Sequence, residues 1–136
     1  MEYDETKTAV NVRQFLSTDF QRMRQKAQLA KVLPGSIKYD GLPGGDGYEN
    51  IVETKLSIYV DASQFVDVVM NVLNVMSDGK TRHRHILMLR FVDDVADEFV
   101  MSRMNMPRTT YFHNKKRALL EFADIFAPII DFRVVC

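Results

Sequence analysis

The chain is short of cysteine and of net charge, and it has no long apolar run. Its one cysteine, Cys136, excludes an intramolecular disulfide framework and is typical of a reducing compartment. No apolar stretch approaches the roughly 20 residues that cross a membrane. The acidic first residues also lack the apolar segment of a secretory signal. We therefore expect a cytoplasmic protein without a membrane partner.

The absence of net charge hides an uneven distribution of charged residues. The 18 basic and 18 acidic residues cancel, so the total argues neither for nor against a nucleic-acid partner. Residues 80–117, however, contain nine basic and four acidic side chains, a net charge of +5. A smaller basic stretch covers residues 13–31. Such blocks are either solvated helix faces or binding surfaces for an acidic partner.

Apolar residues recur at helical spacing through most of the chain, which predicts an all-α protein. Residues 1–32 form an N-terminal helical segment, either one helix from about Thr8 to Ala30 or two helices separated near Thr18. Residues 33–48 contain five of the six glycines and are interpreted as a Gly/Pro-rich linker. Residues 49–79 are expected to form a central helical segment, in which residues 49–59 are ambiguous between helix and strand.

The last segment, residues 80–136, has the element order of a helix-turn-helix domain followed by an apolar tail. Two short apolar helices are expected, the first ending near Asp93 and the second near Met104. Asn105 then stands where a tight turn needs a residue that tolerates positive φ. Pro107 is suited to the start of the long third helix, which is expected to continue to about Phe126.

The third helix carries the candidate DNA-binding residues. A recognition helix needs donors on its outer face and apolar residues on the face that packs against the preceding helix. Arginine can pair with guanine in the major groove, threonine can contact either base, and lysine suits phosphate. The expected groove-facing set is Arg108, Thr109, Phe112, His113 and Lys116. The expected phosphate contacts are Lys115, Arg117 and Arg82.

Several segments also resemble a known family. The stretch from Ile86 to Tyr111 resembles the helix-turn-helix of sigma-factor region 4 and matches it without a gap. The wider pattern is similar to the ArpU family of phage late transcriptional regulators, through FLSTDFQRM at 15–23, YDGLP at 39–43 and YFHNKKRALLEFA at 111–123. The chain departs from the pattern at Met101, Pro107 and Asn114, where a small residue, a Ser or Thr cap and a Leu are usual.

The resemblance implies a DNA-binding regulator that activates packaging and lysis genes of phages and prophages in Gram-positive bacteria. It implies double-stranded promoter DNA as one partner and bacterial RNA polymerase as a second. The alternative is a helical adaptor that docks on RNA polymerase without binding DNA. The apolar tail, residues 127–136, either folds back on the domain or packs against a second copy in a homodimer.

Other chemistry receives weaker support from the sequence. His83, His85, His113 and Cys136 do not have the spacing of a metal site, so no metal or other cofactor is expected. No nucleophile motif or glycine-rich phosphate loop with its flanking strand and helix is present. We therefore do not expect an enzyme.

Overall fold

The computed structural model describes residues 2–32 and 62–136. The expected linker at 33–48 and the ambiguous stretch at 49–59 lie outside these described residues. Within them the protein is helical, and their only β-type pairing is an isolated antiparallel bridge between Tyr3 and Val135. The prediction of an all-α protein is confirmed.

The described helices follow the apolar periodicity of the sequence, and a π-helical turn, here called the π segment, follows the fourth of them. Their bounds are α1 Glu5–Ser17, α2 Asp19–Val32, α3 Ala62–Val75, α4 His83–Leu87, the π segment Met88–Val92, α5 Asp97–Met104 and α6 Arg108–Phe126.

The chain divides into two compact units. The first unit joins residues 1–14 to residues 71–136, and the second contains residues 15–70. In the second unit Phe15 and Phe65 meet edge to face, with ring centroids 5.9 Å apart. Because α1 ends at Ser17 and α2 begins at Asp19, the structure favours two helices over one continuous helix.

In the first unit, α4 packs against α6, and the π segment that follows α4 contributes a further buried residue. Ile86, Leu87 and Phe91 are buried, and α4 contacts α6 directly. The sequence predicted one short helix here, whereas the backbone changes from α to π geometry at Met88. Asp94 then adopts a positive φ of 56°, which ends the segment before α5.

A tight turn connects α5 to α6. Asn105 has φ 55° and ψ 47°, the left-handed conformation expected from the sequence. Pro107 precedes the first residue of α6 and provides no side-chain cap, so the hydrogen bond of a Ser or Thr cap is absent. Asn114, one of the departures from the family pattern, donates to the Met106 sulfur at 3.8 Å.

The C-terminal tail folds back on the first unit. Ile130 and Phe132 are buried, and the Phe132 ring stacks on Phe126 with centroids 6.0 Å apart. The backbone N–H of Asp4 donates to the Val134 carbonyl at 2.6 Å. Of the two expectations for the tail, the structure therefore shows intramolecular packing, while Ile129 remains exposed.

Candidate nucleic-acid interface

Asp97, in the first turn of α5, contacts side chains from two neighbouring elements. The Tyr111 hydroxyl donates to Asp97 Oδ1 at 2.6 Å, and the Lys115 ammonium donates to the same oxygen at 2.9 Å. The Arg90 guanidinium of the π segment lies 3.5 Å from it. One carboxylate therefore links α5 both to the π segment and to the inner face of α6.

These contacts control the ionisation of the cluster. Burial alone would raise the pKa of Asp97, but hydrogen bonds from Tyr111 and Lys115 outweigh burial and the pKa is lowered. Burial raises the pKa of the Tyr111 phenol, and the hydrogen bond to Asp97 raises it further. Burial lowers the pKa of Lys115, although the Asp97 carboxylate opposes that change. The cluster consequently contains an ionised carboxylate beside a protonated phenol.

The position of Lys115 corrects one sequence-based expectation. Lys115 was expected to contact DNA phosphate, but the residue is only 7% exposed and its ammonium is bound to Asp97. The aliphatic stem of a lysine can be buried when the charged end finds a partner. Lys115 therefore belongs to the packing between α5 and α6 and not to the outer face.

The opposite face of α6 is exposed mainly in the first turns of the helix. Arg108, Thr109 and His113 are exposed, and Phe112 and Lys116 are partly buried. With 3.6 residues per turn these five positions fall on one side of the helix, across from the buried Tyr111 and Ala118. Towards its C-terminal end the helix is covered, because Ala123 and Phe126 are buried. The accessible part of α6 is thus its N-terminal half, the part that contacts base edges in helix-turn-helix proteins.

Phe112 is flanked by two cations. The Arg108 guanidinium lies over its ring at 5.0 Å from the centroid, and the Lys115 ammonium lies 5.7 Å from the same centroid. Such contacts are favourable by about 0.5–1 kcal/mol at exposed sites. Phe112 therefore orients Arg108 along the outer face, and its own ring is only partly available to a ligand.

Lys116 and Arg117 contact the first turn of α1. The Lys116 ammonium donates to Thr6 Oγ1 at 3.2 Å, and Arg117 Nη1 lies 3.1 Å from Glu5 Oε2. The Arg117 and Glu5 side chains are 53% and 57% exposed, so this ion pair is open to solvent. Two of the expected DNA-binding residues thus already have intramolecular partners.

Arg82 is not on α6. It is half-buried at the start of α4 and has a φ of 59°. A phosphate contact by Arg82 would therefore require a DNA path that extends beyond α6, and this expectation stays a prediction.

Two histidines of residues 80–117, His83 and His85, lie close to carboxylates that the sequence did not identify as their partners. His83 Nδ1 lies 2.7 Å from Glu121 Oε1 and 3.3 Å from Ser77 Oγ, and Ser77 Oγ donates to the same Glu121 oxygen at 2.8 Å. Burial alone would raise the pKa of Glu121, but hydrogen bonds from Ser77 and His83 lower it.

A catalytic Ser-His-Glu relay instead needs the serine on one ring nitrogen and the carboxylate on the other. Because both groups contact Nδ1, this cluster lacks that arrangement.

His85 Nδ1 lies 3.8 Å from the Asp78 carboxylate. Among the described residues no three His, Cys, Asp or Glu side chains are placed to hold a metal ion.

Sequence reasoning missed two residues that lie beside the candidate interface. An acidic residue in the first turn of a helix complements the helix dipole, but Asp97 also binds Tyr111 and Lys115 of α6. Arg13 on α1 is exposed and lies close enough to Lys115 to lower its pKa. Arg13 belongs to the basic stretch at 13–31, but the sequence does not show that this residue lies near α6.

Comparisons of the chain with protein-family models, with curated proteins and with solved structures find no match. In the part of the chain that the structure describes, no helix is both long and apolar enough to cross a membrane.

Proposed function

We propose that the protein binds double-stranded DNA through the N-terminal half of α6, with α5 and α6 acting as a helix-turn-helix. The observation that carries this proposal is the division of α6 into two faces. Asp97 fixes the inner face through Tyr111 and Lys115. The outer face exposes Arg108, Thr109 and His113, side chains that can donate to base edges or phosphates.

The biological role that we propose is activation of phage or prophage late genes together with bacterial RNA polymerase. This part rests on the sequence resemblance to the ArpU family and to sigma-factor region 4. The net charge of +5 in residues 80–117 supports an acidic partner such as promoter DNA. A homodimer would extend the number of base pairs contacted, because one short helix contacts few.

The experiment is a salt-titrated binding assay with duplex fragments from a phage late-promoter region. Wild type is compared with Arg108→Ala/Lys116→Ala between roughly 50 and 200 mM salt. We expect submicromolar, fragment-selective binding by the wild type. The double variant should lose at least about tenfold in affinity, because a base contact contributes about 1–3 kcal/mol. Its salt slope should also be less steep.

The matched control is Lys80→Glu, which changes the net charge by the same two units at an exposed position outside α6. It should retain selective binding, and circular dichroism should show that all three proteins are folded. Absence of binding by the wild type at the lowest salt would contradict the proposal. So would equal losses in the double variant and the control, because the effect would then be one of net charge alone.

One observation favours the alternative adaptor function. Phe99 on α5 is 64% exposed, and the exposed acidic residues Asp93, Asp94 and Glu98 lie near it in the chain. An exposed aromatic residue beside acidic groups suits a protein partner better than DNA, whose phosphates acidic groups repel. An adaptor would bind RNA polymerase in a Phe99-dependent manner and would bind no DNA fragment, with or without Arg108.

A further inference from the structure

We propose that Glu5 competes with DNA phosphate for Arg117, so that the N-terminal acidic turn restrains DNA binding by α6. The acidic turn is defined here as residues 2–5, which contain Glu2, Asp4 and Glu5. This inference rests on the proposed DNA-binding function and concerns the regulation of that same surface. It follows from the contacts between the first turn of α1 and the third turn of α6.

The competing contact is direct. Glu5 Oε2 lies 3.1 Å from Arg117 Nη1, and the next residue, Thr6, accepts a hydrogen bond from Lys116 at 3.2 Å. A phosphate oxygen would bind the same guanidinium and ammonium groups. DNA that engages this end of the α6 face must therefore replace the Glu5 carboxylate.

The C-terminal tail holds the acidic turn in place. The N–H of Asp4 donates to the Val134 carbonyl, the N–H of Cys136 donates to the Glu2 carbonyl, and Tyr3 pairs with Val135. The Asp4 carboxylate also accepts the backbone N–H of Lys7 at 3.0 Å, which caps the start of α1. Because the backbone is fixed on both sides, Glu5 stays close to Arg117 and acts as a competitor of high effective concentration.

The ion pair is nevertheless easy to replace. Glu5 and Arg117 line an open cleft of about 630 Å³, and more than half of each side chain is exposed. Exposed ion pairs contribute little to stability and weaken in salt. The pair is therefore too weak to block DNA, but strong enough to reduce its affinity by a small factor.

The test compares four folded proteins by fluorescence anisotropy on a labelled duplex of mixed sequence at low salt. They are the wild type, Glu5→Gln, Arg117→Gln and Glu5→Gln/Arg117→Gln. We expect Glu5→Gln to bind about two- to fivefold more tightly than wild type, the factor that corresponds to an exposed ion pair. In the Arg117→Gln background the same substitution should give no gain. The gain should also shrink as salt is raised.

Glu2→Gln is the matched control, because it removes the same charge from the same turn and the described hydrogen bond of Glu2 uses its backbone carbonyl. A gain equal to that of Glu5→Gln would mean that diffuse acidity acts, and it would overturn the specific competition. So would unchanged affinity of Glu5→Gln, or a gain that persists without Arg117. In these three cases wild-type binding would leave the proposed function intact. Absence of binding by all variants would overturn the proposed function and this inference together.

Discussion

Lys115 and Lys116 are adjacent on α6, but they lie in opposite environments. Lys115 points inward to Asp97, whereas Lys116 is only partly buried and contacts Thr6. Removal of the buried Lys115 ammonium would leave Asp97 with one hydrogen-bond donor fewer. Hydrogen bonds to charged groups contribute about 1.5–3 kcal/mol. A partly exposed lysine in a phosphate-binding face instead contributes mainly to salt-dependent affinity.

The two lysines should therefore respond differently to replacement by methionine. We expect Lys115→Met to lower the free energy of unfolding by about 2 kcal/mol while the salt slope of DNA binding stays unchanged. Lys116→Met should leave stability within about 0.5 kcal/mol and reduce that slope by about one. Urea denaturation and a salt titration of binding measure the two quantities. A reduced slope for Lys115→Met in a folded protein would place Lys115 on the DNA after all.

This contrast shows what a sequence can predict about single residues. Helical spacing indicates an apolar inner face on α6, and Tyr111, Ala118 and Phe122 are buried there. The same spacing does not show that Lys115 is buried, because its ammonium is bound to Asp97, which is 18 positions earlier in the chain. Periodicity describes one helix at a time, so it does not show which partner a charged side chain meets.

At the scale of the elements, the sequence predicts a helix well where its apolar residues keep one helical spacing, and a turn well where a residue tolerates its backbone conformation. The helices α3 and α6 follow from apolar residues at steps of three and four, and the turn between α5 and α6 follows from Asn105. The change to π geometry at Met88 has no comparable pattern in the sequence. The break between α1 and α2 does not follow from the sequence alone, because the cap-type residues near Thr18 also occur inside helices.

The turn between α5 and α6 gives a test of backbone conformation. The left-handed conformation at Asn105 costs an alanine about 1–2 kcal/mol, while Asn tolerates it better and Gly adopts it freely. We expect Asn105→Ala to lower the free energy of unfolding by about 1 kcal/mol. Asn105→Gly should lie within about 0.5 kcal/mol of wild type. Urea denaturation distinguishes the two, and equal losses would show that the exposed Asn105 side chain matters instead of its φ.

At the scale of the whole molecule, the two chain ends meet in the first unit. Phe132 stacks on Phe126 at the end of α6, and Asn11 of α1 donates to the Phe132 carbonyl at 3.3 Å. Thr8 accepts the N–H of Val134 at 3.0 Å. The sequence distance across these contacts, 121 and 126 positions, explains why local patterns could not predict them. The tail thereby couples the acidic turn to the helix that we propose binds DNA.

This arrangement predicts that the tail stabilises the monomer and is not primarily a dimer contact. We expect Phe132→Ala to lower the free energy of unfolding by about 3 kcal/mol, the usual loss for a large buried aromatic ring. Ile129→Ala, at an exposed tail position, should change it by less than about 0.5 kcal/mol. Urea denaturation measures both, and analytical ultracentrifugation should give the same mass for both variants and the wild type. Unchanged stability of Phe132→Ala, together with a fall in mass from dimer to monomer, would instead place Phe132 in a contact between two copies of the chain.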